Sequence, residues 1–172
     1  MDIEKYQDLI AELKYKAVKR VLFICLGNIC RSPAADGIMQ ARLAERRTES
    51  RWEVDSAGIG AWHTGQLPDQ RMRVHARRRG YDLTHRARQV RAYDFENFDI
   101  IVAMDDSNVA DLKDVAPTLD DEKKIVRMID FVRNKATRYD SVPDPYYEGA
   151  EGFELVLDLL EDAIDGLVDT FD

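Results

Sequence analysis

The sequence predicts an α/β fold: a single domain on a parallel four-stranded sheet, helices on both faces, and a phosphate-binding loop after the first strand. Three observations carry this. Short apolar runs alternate with segments of helical periodicity along the 172 residues, the pattern of a parallel sheet covered on both sides. Ile100-Ile101-Val102-Ala103-Met104 is continuously apolar, as a strand buried on both faces must be. Cys25-Leu26-Gly27-Asn28-Ile29-Cys30-Arg31-Ser32-Pro33 lies between an apolar run and a helical one, at the C-terminal end of a strand, where such folds place their active sites.

Taken in order, residues 5–17 read as a helix with Tyr6, Leu9, Ile10 and Leu13 on one face. Residues 21–24 form the first strand, and residues 32–45 the helix behind the loop, with Pro33 suited to the helix start. Residues 52–55 read as the second strand, followed by a loop over 56–68. Residues 69–79 suit a helix stopped by Gly80. The third strand is the run 100–104, Ser107 opens a short helix, and residues 125–129 are the last strand. In the closing segment Phe153, Leu157, Leu160, Ile164, Leu167 and Phe171 recur at helical spacing, with acids on the other face. No repeat, low-complexity tract or linker interrupts the chain, and Pro143 and Pro145 mark a rigid loop.

Composition excludes several classes. With 45% hydrophobic and 34% charged residues this is an ordinary soluble globular chain. No apolar run approaches the ~20 residues of a membrane span. The charged start Met1-Asp2-Ile3-Glu4-Lys5 is no signal peptide. Cys25 and Cys30 are the only cysteines, too few to staple a secreted fold. With only three histidines a zinc set is not expected. The expectation is a cytoplasmic protein with no metal and no cofactor. A net charge of −8 and a pI near 5.0 argue against nucleic acid as a partner. Eight arginines between Arg71 and Arg91 stand out. They read as solvated surface, or as a guide for acidic partners.

The loop carries the chemistry. Backbone N–H groups between Cys25 and Arg31 can turn inward around a phosphate, helped by Gly27 and Asn28, both tolerant of left-handed conformations. Arg31 offers a planar fork for two phosphate oxygens, and the helix start aims its positive end at the same point. These surroundings favour the thiolate, a nucleophile, over a buried structural thiol. Ser32 could simply cap the helix, and Asp144 could simply open a turn before proline.

The sequence resembles the low-molecular-weight protein tyrosine phosphatases, from about Lys19 to the C-terminus. Besides the Cys25–Arg31 loop, the likeness rests on Val142-Pro143-Asp144-Pro145-Tyr146-Tyr147, Asp55-Ser56-Ala57-Gly58, His85-Arg86-Ala87-Arg88-Gln89-Val90 and Met104-Asp105-Asp106-Ser107-Asn108, in family-like order and spacing. It divides the chain into an N-terminal helical extension, 1–18, and a phosphatase domain, 19–172. It implies that Cys25 is the nucleophile, that Arg31 binds the phosphate and that Asp144 is the general acid. Leu26, Gly27, Asn28, Ile29, Cys30 and Ser32 would form the cradle, with Ser32 also hydrogen-bonding the thiolate. Trp62, Tyr146 and Tyr147 would wall a slot for a phenyl phosphate, and Ser56 and His85, with Asn28, would brace the cradle. Asp105 reads as scaffold at its strand end, and His63 as a loop residue. Cys30 could trap an oxidised Cys25 as a disulfide.

The implied activity is metal-independent hydrolysis of phosphotyrosine in proteins through a phosphocysteine intermediate, by a monomer or weak dimer. The partner would be a phosphotyrosine-bearing protein, with neither nucleic acid nor membrane. Arsenate reduction generally needs a further cysteine, and none follows Cys30. Arginine phosphatases of the family tend to carry threonine where this chain has Ile29. A non-catalytic phosphate-binding module is the remaining alternative, disfavoured by Cys25, Arg31 and Asp144 occurring together.

Overall fold

The structure, a computed structural model, describes residues 1–172. Strands β1 (Lys19–Cys25), β2 (Trp52–Gly58), β3 (Ile100–Ala103) and β4 (Ile125–Arg127) pair in the order β2-β1-β3-β4, every pair parallel. Seven helices surround them: α1 (Gln7–Leu13), α2 (Arg31–Arg46), α3 (Gln70–Arg78), α4 (Asp94–Asn97), α5 (Asp106–Val115), α6 (Leu119–Glu122) and α7 (Ala150–Phe171).

Side-chain alternation on the two central strands builds two cores. Val21, Phe23 and Cys25 of β1 and Ile100 and Val102 of β3 face the larger one, with Ile38 and Met39 of α2, Met72 of α3 and the apolar stripe of α7. Leu22, Ile24, Ile101 and Ala103 face the other side, against Phe95 of α4 and Leu112 of α5. Helices therefore cover both faces, as the uninterrupted apolar strands require. On the solvent side of α7, Glu154, Asp158 and Glu161 pair with Arg79, while Asp165 and Asp169 pair with Arg46. Part of the arginine-rich stretch is thus taken up by the acids of the closing helix. Gly80 ends α3 with φ +90°, a conformation open to glycine and strained for other residues.

Some expected bounds change. The N-terminal helix is a 3-10 turn, Glu4–Tyr6, followed by α1, shorter than 5–17. It packs on its own domain: Leu9 and Leu13 enter the larger core, the Tyr6 ring stacks on Phe131 at 5.9 Å, and the Tyr6 hydroxyl donates to Asp130 at 2.6 Å. Strand β4 stops at Arg127, because Met128–Phe131 turn into a 3-10 helix. Those residues are buried all the same, so the apolar run alone could not separate the two conformations. Helices α4 and α6, four residues each, are too short to show a period.

Candidate active site

The turn from β1 into α2 sets the centre of the site. Cys25 ends the strand and Arg31 begins the helix, so residues 26–30 must reverse direction in one tight loop. Asn28 supplies the left-handed residue this needs, at φ 57°. Gly27 does not adopt it, contrary to expectation. Gly27 instead lies close to His63, whose Cδ2 would come 3.1 Å from a Cβ at that position. None of the N–H groups of Leu26, Gly27, Asn28, Ile29 and Cys30 donates to a protein acceptor. They form a set of free donors beside the Cys25 sulfur, which is the requirement for cradling an anion.

Behind the loop, Asn28 is 1% exposed and its amide is fully engaged. Nδ2 donates to Ser32 Oγ at 2.8 Å and Ser56 Oγ at 3.0 Å, while Oδ1 accepts from the Arg88 N–H at 3.1 Å and faces His85 Nε2 at 3.0 Å. An amide oxygen only accepts, so Nε2 of His85 carries the hydrogen. Ser32 Oγ, already accepting from Asn28, lies 3.0 Å from Cys25 Sγ and has its own proton free for the sulfur. Ser32 makes no helix-capping bond; the structure assigns it to the thiol.

Arg31 is buried, its side chain 3% exposed. Nη1 donates to Asp105 Oδ2 at 2.7 Å and to the Val142 carbonyl at 3.0 Å, leaving Nε and Nη2 without protein hydrogen-bond partners. Burial works against its charge, but Cys25, Asp105 and Asp144 more than offset it and raise its pKa. Asp105 also caps α5 by accepting from the Asn108 N–H at 2.8 Å. The strand-end scaffold role read from the sequence is therefore joined by a brace on Arg31. Burial, and then the negative charge of Asp69, push the Cys30 thiol far above its ordinary value. Cys30 is thus held as the neutral thiol.

The Asp144 carboxylate lies 3.7 Å from Arg31 Nη2 and also accepts from the Tyr146 N–H at 3.0 Å, so Asp144 both opens a turn and faces the loop. A cavity of about 200 Å³ joins these parts, lined by Cys25, Leu26, Gly27, Ile29, Cys30, Arg31, Trp62, His63, Asp144, Tyr146 and Tyr147. Trp62 is 68% exposed and its ring covers Gly60, where any Cβ would clash with the indole. Tyr147 is 91% exposed and meets Tyr146 edge to face at 4.9 Å. The aromatics form the rim of the cavity, not part of the core.

Every expected site residue thus lies in the cavity or in the bonding network behind it. Sequence reasoning missed Arg88, which holds Asn28 from the backbone and pairs with Asp55 and Asp94. It also missed Asp69 and Arg71, which contact the loop and Tyr146, and the place of His63 on the cavity wall. The donor atoms of Asp36, Asp55 and His85 all lie within 4.8 Å of one another, a geometry a cation could bridge. Asp36 Oδ1 already accepts from Gln40 and Asp55 Oδ2 from Arg88, and His85 gives Nε2 to Asn28 while its Nδ1 faces Asp55 Oδ1 at 3.5 Å and Asp36 Oδ2 at 3.8 Å. No helix is long and apolar enough to cross a membrane.

Comparison with known proteins agrees with this geometry. The family model for low molecular weight phosphotyrosine protein phosphatase matches residues 20–172. A low molecular weight protein-tyrosine-phosphatase of Streptomyces coelicolor is 40% identical over 149 residues, covering 87% of this chain and 91% of the relative. Among solved structures, a protein tyrosine phosphatase of Entamoeba histolytica superposes with a TM-score of 0.83 at 42% identity, covering 88% of this chain and 95% of that one. A Drosophila arginine phosphatase superposes with a TM-score of 0.79 at 31% identity, covering 87% and 95%.

Proposed function

This chain belongs to the low molecular weight phosphotyrosine protein phosphatases, a family of cysteine-based hydrolases, and we propose that it hydrolyses phosphotyrosine in proteins through a phosphocysteine on Cys25. The supporting observation is the convergence on one cavity of a buried sulfur, a ring of free N–H donors, a braced guanidinium and a carboxyl group. In the first step Cys25 Sγ bonds to phosphorus as the bond to the phenol oxygen breaks, and Asp144 gives its proton to that oxygen. In the second step water attacks phosphorus, Asp144 takes the water proton, and the sulfur–phosphorus bond breaks to release phosphate and the thiolate. Ser32 stabilises the thiolate at both ends of the cycle. Nε and Nη2 of Arg31, with the loop N–H groups, stabilise the charge that spreads over the equatorial oxygens.

Ile29 favours an aryl ester over phosphoarginine. It is 8% exposed and lines the cavity, and its branched apolar side chain offers no hydroxyl to assist water or a guanidinium leaving group. The Trp62, Tyr146 and Tyr147 rim suits a flat phenyl ring. A phosphoserine side chain is too short to span it.

Two variants test the reading together. Cys25→Ser should abolish turnover of aryl phosphates while phosphate binding and fold persist, since serine is not ionised at neutral pH. Asp144→Asn should lose about 10²–10⁴ in kcat/KM on phenyl phosphate and less on activated esters, because protonation matters most for a basic leaving oxygen. Activity should persist in excess chelator; activity lost to chelator and restored by a divalent metal would overturn the mechanism.

A further inference from the structure

Asp144 lies between β4 and α7 in a segment that has neither strand nor α-helix from Val132 to Gly149. A proton donor on such a loop needs an external tie to keep its angstrom-scale position over the nucleophile. On the nucleophile's side, Val142 supplies one: its N–H donates to Met104 O at 2.9 Å and its carbonyl accepts from Arg31. Beyond Asp144 the tie is Arg71. Its Nη2 donates to the Tyr146 carbonyl at 3.0 Å, and the Tyr146 N–H in turn donates to Asp144 Oδ1 at 3.0 Å. The same edge of the guanidinium grips Asp69 bidentately, Nε to Oδ1 at 3.1 Å and that same Nη2 to Oδ2 at 3.0 Å. The Asp69 N–H donates to the carbonyl of Ile29, inside the cradle loop, at 2.7 Å. The guanidinium also lies over the rings of Tyr146 and Phe153, at 5.4 and 4.9 Å.

We propose that Arg71 is a positioning residue for proton transfer, a strut that ties the Asp144 turn to the nucleophile loop through Asp69. The inference rests on Asp144 being the proton donor. Arg71 is half exposed, and exposed ion pairs contribute little to stability. Its worth lies in geometry. A planar fork with two carboxylate contacts fixes the angle at which its outer nitrogen meets Tyr146, which the single charge of a lysine cannot do. A displacement of the acid by about 1 Å can cost on the order of 10²-fold in rate. The strut acts on leaving-group departure and leaves phosphate binding to the cradle.

The test measures kcat/KM, which reports the steps through phenol departure, across aryl phosphates of graded phenol pKa. It compares the parent, Arg71→Met (which keeps an unbranched stem and removes the guanidinium), Asp69→Asn (which keeps the helix cap and the backbone N–H) and Asp144→Asn. Both strut variants should steepen the dependence on phenol pKa, losing roughly tenfold on phenyl phosphate and under about threefold on a dinitrophenyl ester. The inhibition constant of inorganic phosphate should hold within about twofold. Adding Arg71→Met to Asp144→Asn should not steepen the slope further. Equal losses on all esters, weakened phosphate binding, or a slope effect that survives without Asp144 would overturn the strut. A parent-like slope in Asp144→Asn alone would instead remove Asp144 as the acid, which is a failure of the mechanism and is distinguishable from the first.

Discussion

Asn28→Ala should be among the most damaging single changes near the site, although the Asn28 side chain touches no substrate in the proposed mechanism. Its backbone stands at φ 57°, where a residue with a Cβ and no local polar bond is disfavoured by about 1 kcal/mol. Its amide makes four contacts, to Ser32, Ser56, His85 and the Arg88 N–H. Of these, the Arg88 N–H and His85 Nε2 lose an acceptor and Ser56 Oγ loses a donor. A buried group left unpaired costs roughly 1–3 kcal/mol, and a partly relaxed set of three brings the total to about 3–5 kcal/mol. Asn28→Gly removes the same bonds and relieves the backbone, so it should be about 1 kcal/mol more stable than Asn28→Ala. Urea unfolding at constant m-value measures both differences. Activity should fall in both variants, because Ser32 no longer has a fixed orientation toward Cys25. If both variants unfold within about 0.5 kcal/mol of the parent, the amide network does not hold the loop, and the argument from Asn28 collapses.

Three further outcomes follow from the same contacts. Ile29→Thr should raise activity on phosphoarginine relative to phosphotyrosine peptides; a parent enzyme that already prefers phosphoarginine would overturn the substrate assignment and leave the cysteine chemistry standing. Under mild peroxide, Cys25 oxidised to a sulfenic acid should condense with the Cys30 thiol, releasing water, and the protein mass should fall by two hydrogens. Dithiothreitol should then restore activity, and a Cys30→Ser variant that recovers as fully as the parent would remove this protection. Acid should destabilise the fold through α7: burial pushes the carboxyls of Glu154, Glu161 and Asp169 up, but bonds to Arg79, Arg46 and their neighbours outweigh it and hold them below their ordinary values. Depressed carboxylates stabilise the fold at neutral pH, and that stability is lost as pH falls below about 4. Arg79→Ala should flatten the decline in urea midpoint from pH 5 to 3; an unchanged slope would mean that these pairs contribute nothing.

The parts of this protein that were legible in the sequence are those written in a single segment. Alternation and continuous apolarity gave the four strands and α7, because burial leaves a period in the residues themselves. The loop from Cys25 to Ser32 was legible because nucleophile, anion donors and helix start are neighbours in the chain. What escaped is what lies between segments. Asn28 meets Arg88 sixty residues away, Arg31 meets Asp105, and Arg71 meets Tyr146; the contact between Asn28 and His85 was implied by the family resemblance and not by the local pattern. An arginine bound to a distant carbonyl has the same local signature as one in solvent, so the stretch 71–91 read as solvated surface or as a guide for acidic partners. The structure divides it: Arg79 pairs with the closing helix, Arg88 with the loop at Asn28, and Arg71 with the Asp144–Tyr146 turn. The missed residues share one property: each contacts a segment distant in sequence that the fold brings alongside it. In a parallel sheet the active-site loops collect at the carboxyl ends of the strands. Contacts between them, which sequence periodicity cannot register, are what hold the Asp144 loop against the loop that follows Cys25.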